Sequence, residues 1–482
     1  MSNYTVGAGG DFATLSAASK AVKPGDVVDV LPGTYKERLT CDVAGVTWRG
    51  QPGAVIDGGY SFEWARKSGD SWRNLVYRTP LSTMGDGVLV KADNVTLDGL
   101  TVRNSGDVGI AVGPQSNIVI RNCDIEHSYR GAITVNGGKG EATDILIEDN
   151  YCNIAAVVGF DPNRSLATSP QGVSGVLKIG NCRRVTVRRN VVSRGFGEGI
   201  NVDKGSRDSL VEDNLIHDCA HLHIYANHAA QALIRRNVIF CGGSPAQIGK
   251  GGTAPAGIGI RDEKTQKGGL PASRDVTFED NLVVNMGYPL LINADPGGGG
   301  FVVKGNTFVW GPMTLRGVTI VGKQPGEFTD NLLYVADGAP ATGNTPQGMA
   351  FSGNHWTVRP PAAFRGSGDT YGPLGLASPN VVPTSEYDEY GMGRGDVFDV
   401  SNYRPPVDPD DPPVDPPPPD PEPGLDVTAL LALVDAAAAR LDTADGELAL
   451  AAASLVRASQ SLASAVREIE ELRQALGEFA NG

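Results

Sequence analysis

A short β-branched strand that runs into an asparagine recurs along most of this sequence. The spacing between successive asparagines is mostly 23 to 25 residues, with longer steps of 28, 40 and 44, and Gly99 takes the equivalent place 23 residues before the first. A unit of this length holds about three short strands and cannot bury its own apolar face, so successive units must stack. The recurring residues are Asn122, Asn150, Asn190, Asn214, Asn237, Asn281, Asn306, Asn331 and Asn354.

Stacked three-strand units predict an all-β fold, a parallel β-helix (a solenoid) with three parallel sheets. Val and Ile would form ladders inside, and the recurring asparagine would bridge neighbouring coils at one turn. We therefore expect Val185 and Val187 to point inward, and Asn190, Asn214 and Asn237 to stack. Ten or so coils at roughly 4.8 Å each would form a rod of about 50 Å. A leucine-rich repeat is disfavoured because its leucine spacing and helical half are missing.

The composition excludes several other classes of protein. Apolar residues make up 40% of the chain, which argues against disorder, and there is no Gly-X-Y period typical of collagen. The net charge of -14 offers nothing to a nucleic-acid backbone. Most of that charge is local, since residues 405–482 contain 15 acids and 4 bases, a net of -11. No long apolar run predicts a membrane span, and the first residues do not resemble a secretion signal, so we expect synthesis in the cytoplasm.

Six cysteines are scattered through the chain without a CxxC pair. Neither a zinc site nor a disulfide framework is indicated, so we interpret them as small core residues and expect no metal and no cofactor. They are Cys41, Cys123, Cys152, Cys182, Cys219 and Cys241.

The first 60 residues sharpen the prediction of the fold. VGAGGDFATLSAASKAVKPGDVVDVLPGTYKERL, followed by VTWRGQPGAVIDGG, resembles the entry to pectin-lyase-like right-handed β-helices. The resemblance implies an N-terminal cap and first coils in residues 1–60 and a β-helix over 61–400. It also implies a short capping helix, whose apolar face would be Phe12, Leu15, Ala18 and Val22. The fold hosts lyases, hydrolases, epimerases and non-catalytic virion proteins, so it does not settle function.

The last 82 residues differ in character from the rest of the chain. Residues 401–424 include PPVDPDDPPVDPPPPDPEPG, whose composition predicts a semi-rigid extended linker. Residues 425–482 carry apolar residues at heptad positions a and d, which predicts an α-helical coiled coil, either continuous or broken into a hairpin near Gly446. We expect it to form homo-oligomers, with a trimer favoured. One heptad set is Val427, Val434, Leu441, Leu448, Leu455, Leu462, Ile469 and Leu476.

A column of polar residues is predicted on one outward sheet of the rod. If Ile and Val point inward, alternation turns Thr134, Lys178, Asn201, Tyr225 and Asn293 outward. Such a column suits an extended glycan, with Tyr225 as a stacking ring, although an outward strand face is polar in any case. The outward residues two positions further on are Asn136, Asp203, Asn227, Arg261 and Asp295. Long insertions near residues 157–175 and 242–274 flank these coils.

Four of the six histidines lie within HDCAHLHIYANH, at residues 217–228. His223 should point outward beside Asp203 and Tyr225, where it could act as a general acid or base. His221 and His223 could instead share a metal, but no third ligand has a recognisable spacing. A turn-capping or glycan-contact role for the histidines is the simplest alternative.

The layout of the chain resembles a phage minor tail or tail-fibre protein of the actinobacteriophage type. It joins a β-helix, a proline-rich linker and an oligomerising helix. This resemblance implies a place in the virion tail, where other tail proteins and a host surface polysaccharide would be partners. Three functions stay open: glycan binding, cleavage of the same glycan by a lyase or hydrolase, and a structural spacer.

Overall fold

The computed structural model describes residues 1–60, 85–156, 175–241, 255–263, 270–310, 316–335 and 346–372, and the backbone of 62–66 and 73–77. In this part of the chain three parallel sheets run side by side, and each strand pairs with the equivalent strand of the next coil. The linker and the predicted coiled coil lie outside the described residues, as do most of the two long insertions.

Sheet A and sheet B each contain thirteen of the described strands. Sheet A comprises Asn3–Val6, Val27–Val30, Thr47–Gly50, Thr96–Asp98, Ser116–Arg121, Ala142–Glu148, Cys182–Arg188, Arg207–Glu212, Ala230–Arg235, Thr277–Glu279, Phe301–Lys304, Lys323–Thr329 and Gln347–Ser352. Sheet B comprises Gly33–Tyr35, Ala54–Asp57, Thr101–Arg103, Asp124–Ser128, Tyr151–Ala155, Val191–Ser193, Leu215–His217, Val238–Phe240, Leu282–Val284, Thr307–Val309, Leu332–Tyr334, His355–Trp356 and Thr370–Tyr371.

Sheet C contains ten of the described strands, each of which comes after a sheet B strand in the chain. It comprises Leu39–Cys41, Val88–Val90, Val108–Val112, Gly131–Asn136, Gly175–Gly180, Glu198–Asp203, Ile224–Asn227, Ala256–Arg261, Tyr288–Asn293 and Thr319–Ile320. A separate antiparallel ribbon pairs Phe62–Arg66 with Arg73–Tyr77, and a short 3-10 helix spans Ala362–Phe364.

A single helix, Leu15–Ala21, lies near the start of the described chain. Thr14 caps it by accepting a hydrogen bond from Ala17 N, and the Glu37 carboxylate accepts from Leu15 N at 2.9 Å. Leu15 and Ala18 are fully buried in the main core. That the helix closes the end of the rod stays a prediction.

The recurring asparagines form a hydrogen-bonded ladder at the turn between sheets A and B. Asn190 Nδ2 donates to Asn214 Oδ1 at 3.0 Å, and Asn214 Nδ2 donates to Asn237 Oδ1 at 2.9 Å. Val185 and Val187 are fully buried. The predicted inward valines and stacked asparagines are therefore confirmed.

Asn122 and Gly99 do not belong to this ladder. Asn122 has a φ of 52° and Gly99 a φ of 70°. Each lies one residue before the ladder position, which Cys123 occupies in the coil that contains Asn122. Cys123 N donates to Asn150 Oδ1 at 3.0 Å. Asn122 and Gly99 lie outside the ladder because each coil bends here through one residue in the left-handed region, which Gly and Asn adopt with the least strain.

Outward side chains of sheet A form a second ladder, in which the sign of the charge alternates from coil to coil. In-register parallel strands place equivalent side chains side by side, so equal charges would repel. The ladder contains several close ion pairs, including Arg49 with Asp29 at 2.8 Å and Arg121 with Asp98 at 2.9 Å. Its members, in register order, are Asp29, Arg49, Asp98, Arg121, Glu148, Arg188, Glu212, Arg235, Glu279 and Lys304.

Candidate functional site

The predicted polar column follows the register of sheet C through four coils. Thr134 pairs with Lys178, Lys178 with Asn201, and Asn201 with Tyr225. We call these four residues the sheet C column. The isoleucines that flank it in the same strands are fully buried, for example Ile200.

Asn293 is not in the sheet C column, contrary to the sequence prediction. The register pairs Tyr225 with Gly259 and Gly259 with Leu291, whereas Asn293 pairs with Arg261. The position in line with the sheet C column is therefore Leu291 in the strand Tyr288–Asn293. Asn293 remains on the same sheet, two positions further along the strand.

Lys178 and Asp203 form the electrostatic centre of the site. Lys178 Nζ lies 2.7 Å from Asp203 Oδ2, and the Asp203 side chain is 2% exposed. Asp203 Oδ1 accepts from Asn227 Nδ2 and from Lys204 N, both at 2.8 Å. Burial lowers the pKa of Lys178, but the Asp203 carboxylate more than offsets burial and the pKa is raised. Lys178 is thus held in its charged form.

Glu198 is a member of the site that the sequence analysis missed. It begins the strand Glu198–Asp203 and is 4% exposed. Burial raises the pKa of Glu198 to about 7, although nearby Lys178 favours the ionised form. In the sequence Glu198 resembles the many acidic residues found in turns. Only its position beside Lys178 of the preceding coil distinguishes it from them.

Three polar side-chain atoms of this surface have no hydrogen-bond partner among the described residues. They are Thr134 Oγ1, Asn201 Oδ1 and Glu198 Oε2, all shielded from solvent. A buried polar atom without a partner costs roughly 1–3 kcal/mol. Each such atom in a folded protein calls for an explanation, such as a bound water, an ion or a catalytic role.

Tyr225 is not the exposed stacking platform that the sequence predicted. It is 3% exposed and packs with Leu222, Ala256 and Tyr288. Its hydroxyl donates to Arg261 O at 2.6 Å, and burial raises its pKa. Both the ring face and the hydroxyl are therefore engaged within the protein.

His223 points into the core, so its predicted place beside Asp203 and Tyr225 is wrong. His223 precedes Ile224 as Gly199 precedes Ile200, and the two isoleucines are paired. A Cβ built on Gly199 would meet the core residue Ile216, which shows that this position faces inward. Strict alternation fails because two successive residues point inward at the start of the strand.

Both ring nitrogens of His223 are bonded to the backbone inside the rod. Nε2 accepts from Cys219 N at 3.1 Å, and Nδ1 lies 3.2 Å from Ala256 O. Burial lowers the pKa of His223 to about 4, so the ring is neutral at neutral pH. The predicted catalytic pair of His223 and Asp203 is therefore split between the inside and the outside of the sheet.

The other histidines of the sequence cluster are dispersed. His217 lies on sheet B, 2.8 Å from the Asp218 carboxylate and stacked on Phe240. His228 lies at the corner after the strand Ile224–Asn227. Among the described residues, no group of three or more His, Cys, Asp or Glu could hold a metal ion.

The fold is that of a right-handed parallel β-helix. Residues 86–262 match the family model described as the right handed beta helix region, which agrees with the three parallel sheets. A comparison with curated proteins gave no match. Within the described residues, no helix has the length and apolar character needed to cross a membrane.

Several solved structures are similar in overall fold. An alginate lyase from Paenibacillus sp. str. FPU-7 is 15% identical, with a TM-score of 0.41 over 65% of this chain and 99% of that chain. A Family 28 exopolygalacturonase from Yersinia enterocolitica is 12% identical, with a TM-score of 0.44 over 70% and 74%. The Streptococcus pneumoniae surface protein and adhesin PfbA is 11% identical, with a TM-score of 0.46 over 74% and 94%. Likeness at this level gives no information on activity.

Proposed function

We propose that this chain binds an extended surface polysaccharide along sheet C. The main support for this proposal is that three atoms shielded from solvent lack a hydrogen-bond partner among the described residues. They are Thr134 Oγ1, Asn201 Oδ1 and Glu198 Oε2. Sugar hydroxyls both donate and accept, so one polymer can satisfy all three atoms. Successive coils repeat at about 4.8 Å, which suits a linear chain of sugar units better than a compact ligand.

The fixed Lys178–Asp203 pair would orient such a polymer. Because both charges are already paired at 2.7 Å, they offer directed hydrogen bonds rather than a strong net charge. Asn227, Arg261 and Asn293 extend the same surface and are proposed as further glycan contacts. Tyr225 would support the site from below, because its ring is packed within the protein.

Binding is tested with cell-wall polysaccharide purified from an actinobacterial host. We expect a double Lys178→Ala, Asn201→Ala variant to retain at least about tenfold less polysaccharide, since two directed hydrogen-bonding groups are lost. An Arg121→Ala variant on sheet A is the matched control and should bind like the wild type. Equal retention by the folded double variant would remove sheet C as the binding surface and leave the structural spacer as the better explanation.

Cleavage of the same polysaccharide is the second candidate function, and the Glu198 carboxyl favours it. With a pKa of about 7, this group is partly protonated at neutral pH and could give a proton to a glycosidic oxygen. Under this hypothesis Glu198→Gln abolishes the release of new chain ends while polysaccharide retention persists. Absence of any chain shortening by the wild type would leave binding alone.

We also propose that the protein acts in a virion tail as a homo-oligomer, most simply a trimer. The support is the sequence layout, in which the acidic proline-rich linker 401–424 joins the rod to the heptads of 425–482. Light scattering should show a fall to monomer mass when residues 405–482 are removed. An unchanged mass per particle would contradict the assembly role, and immunogold labelling of purified virions would test the location.

A further inference from the structure

His228 is held between two backbone carbonyls at the end of sheet C. Nδ1 lies 3.0 Å from Pro271 O, and Nε2 lies 3.2 Å from Glu263 O. A carbonyl oxygen can only accept, so both nitrogens must donate and the ring must carry both protons. This follows from the geometry of the two contacts alone.

The surroundings of His228 favour its charged form. The ring is nearly buried, at 3% exposure, and Asp262 Oδ1 lies 3.9 Å from Nδ1. Burial lowers the pKa of His228, but the carbonyls of Pro271 and Glu263 and the carboxylates of Asp262 and Asp295 outweigh burial, so the pKa is raised. Among the described residues, Asp262 and Asp295 are the carboxylates that act on the ring, and they follow the sheet C strands of the next two coils.

Asp262 ties the same corner together. Its Oδ1 accepts from His228 N, and its Oδ2 accepts from Ser273 N and Asp295 N, all at 2.9 Å. The imidazolium and this carboxylate therefore tie Asp262 and Glu263, directly after the strand Ala256–Arg261, to Pro271 and Ser273.

A continuous path of hydrogen bonds leads from this corner to the candidate site. Glu263, whose carbonyl accepts from His228, donates its own N–H to Asn227 Oδ1 at 3.2 Å. Asn227 Nδ2 then donates to Asp203 Oδ1 at 2.8 Å, and Asp203 Oδ2 holds Lys178 Nζ at 2.7 Å. The protonated ring thus orients Asn227 and, through it, the central ion pair.

We propose that doubly protonated His228 is a positioning residue that makes polysaccharide binding on sheet C depend on pH. This inference rests on the proposed function. A neutral ring donates to only one of the two carbonyls and turns a lone pair toward the other, so the Asp262–Glu263 segment loses a tether. Binding is expected to weaken as pH rises and the ring loses its proton.

The first experiment measures retention of the actinobacterial cell-wall polysaccharide as a function of pH. Wild-type affinity should fall about fivefold between about pH 6 and pH 9, as one charge-assisted hydrogen bond is lost. His228→Gln should bind weakly at the lower pH. Because the Glu198 carboxyl also titrates in this range, the profile of His228→Gln should become flat in a Glu198→Gln background. His217→Gln is the matched control, a histidine beside a carboxylate on sheet B, and should keep the wild-type profile. A His228→Gln profile identical to the wild type overturns the coupling.

Two measurements need no polysaccharide and separate this inference from the proposed function. Long-range 1H–15N NMR of histidine-labelled protein should show both His228 nitrogens protonated at about pH 6, and a singly protonated ring overturns the inference. Amide exchange of residues 255–263 should be faster in His228→Gln than in the wild type. Faster exchange without any polysaccharide retention would support the positioning role and reject the proposed function, whereas equal exchange overturns the positioning role.

Discussion

Removing one rung of the asparagine ladder should destabilise the rod far more than removing an ordinary surface asparagine. In Asn214→Ala, the side-chain donors to Val187 O at 3.0 Å and to Asn237 Oδ1 at 2.9 Å disappear. The acceptor for Asn190 N, at 3.0 Å, disappears as well. The Asn190 side chain keeps two carbonyl partners, but its backbone N–H is left buried and unpaired.

The magnitude follows from these groups. The orphaned N–H costs about 1–3 kcal/mol, and the loss of the remaining net hydrogen bonds adds about 1 kcal/mol. We therefore expect the free energy of unfolding to fall by about 2–4 kcal/mol. Relief by water is blocked because the Asn190, Asn214 and Asn237 side chains are at most 1% exposed.

Urea unfolding followed by circular dichroism measures this effect as a shift of the midpoint at constant slope. Asn136→Ala is the control, because Asn136 is exposed and accepts one hydrogen bond, from Gly138 N at 3.1 Å. It should cost less than about 1 kcal/mol. Equal midpoint shifts for the two variants would refute the view that the ladder stabilises the stacked coils.

Three further predictions concern charge, pH and thiol reactivity. Glu148→Lys places a like charge beside Arg188 and Arg189 and should lower the free energy of unfolding by about 1 kcal/mol. Added salt should reduce this loss, and an equal shift of the urea midpoint at low and high salt would contradict the prediction. Because its folded-state pKa is raised, His228 should stabilise the protein fully below about pH 6.5 and lose that contribution as pH rises through the folded-state value, so the wild type and His228→Gln should converge in stability at alkaline pH. Burial raises the pKa of Cys123 to about 12, so this thiol should resist alkylation in the native protein and react only after unfolding, as peptide mapping would show.

The fold could be predicted because the period of the sequence is the length of one coil. The orientation of a side chain follows from its place within that period. The period alone therefore predicts the inward positions of Val185 and Val187 and the stacking of the ladder asparagines. The register of Lys178, Asn201 and Tyr225 was predictable for the same reason.

The details of the site depend on contacts between coils and on local departures from alternation. His223, just before the strand, and Ile224, its first residue, both face inward, a backbone feature that a side-chain pattern does not reveal. Burial raises the pKa of Glu198, and Lys178, which opposes that rise, lies 20 positions earlier in the chain. Tyr225 is engaged by Arg261 O after an insertion whose length hides their proximity.

The contrast between sheets A and C supports the proposal that binding takes place on sheet C. On sheet A, charges of alternating sign pair with their neighbours, as Arg188 does with Glu148 at 2.8 Å. Those charges are neutralised within the rod, so they stabilise coil register and leave little for a ligand. On sheet C the Lys178–Asp203 pair is likewise internal, yet Asn201 Oδ1 and Glu198 Oε2 beside it lack partners among the described residues. The same stacking rule thus pairs the outward charges of sheet A with one another and leaves two polar atoms of sheet C without a partner among the described residues, as the proposed binding requires.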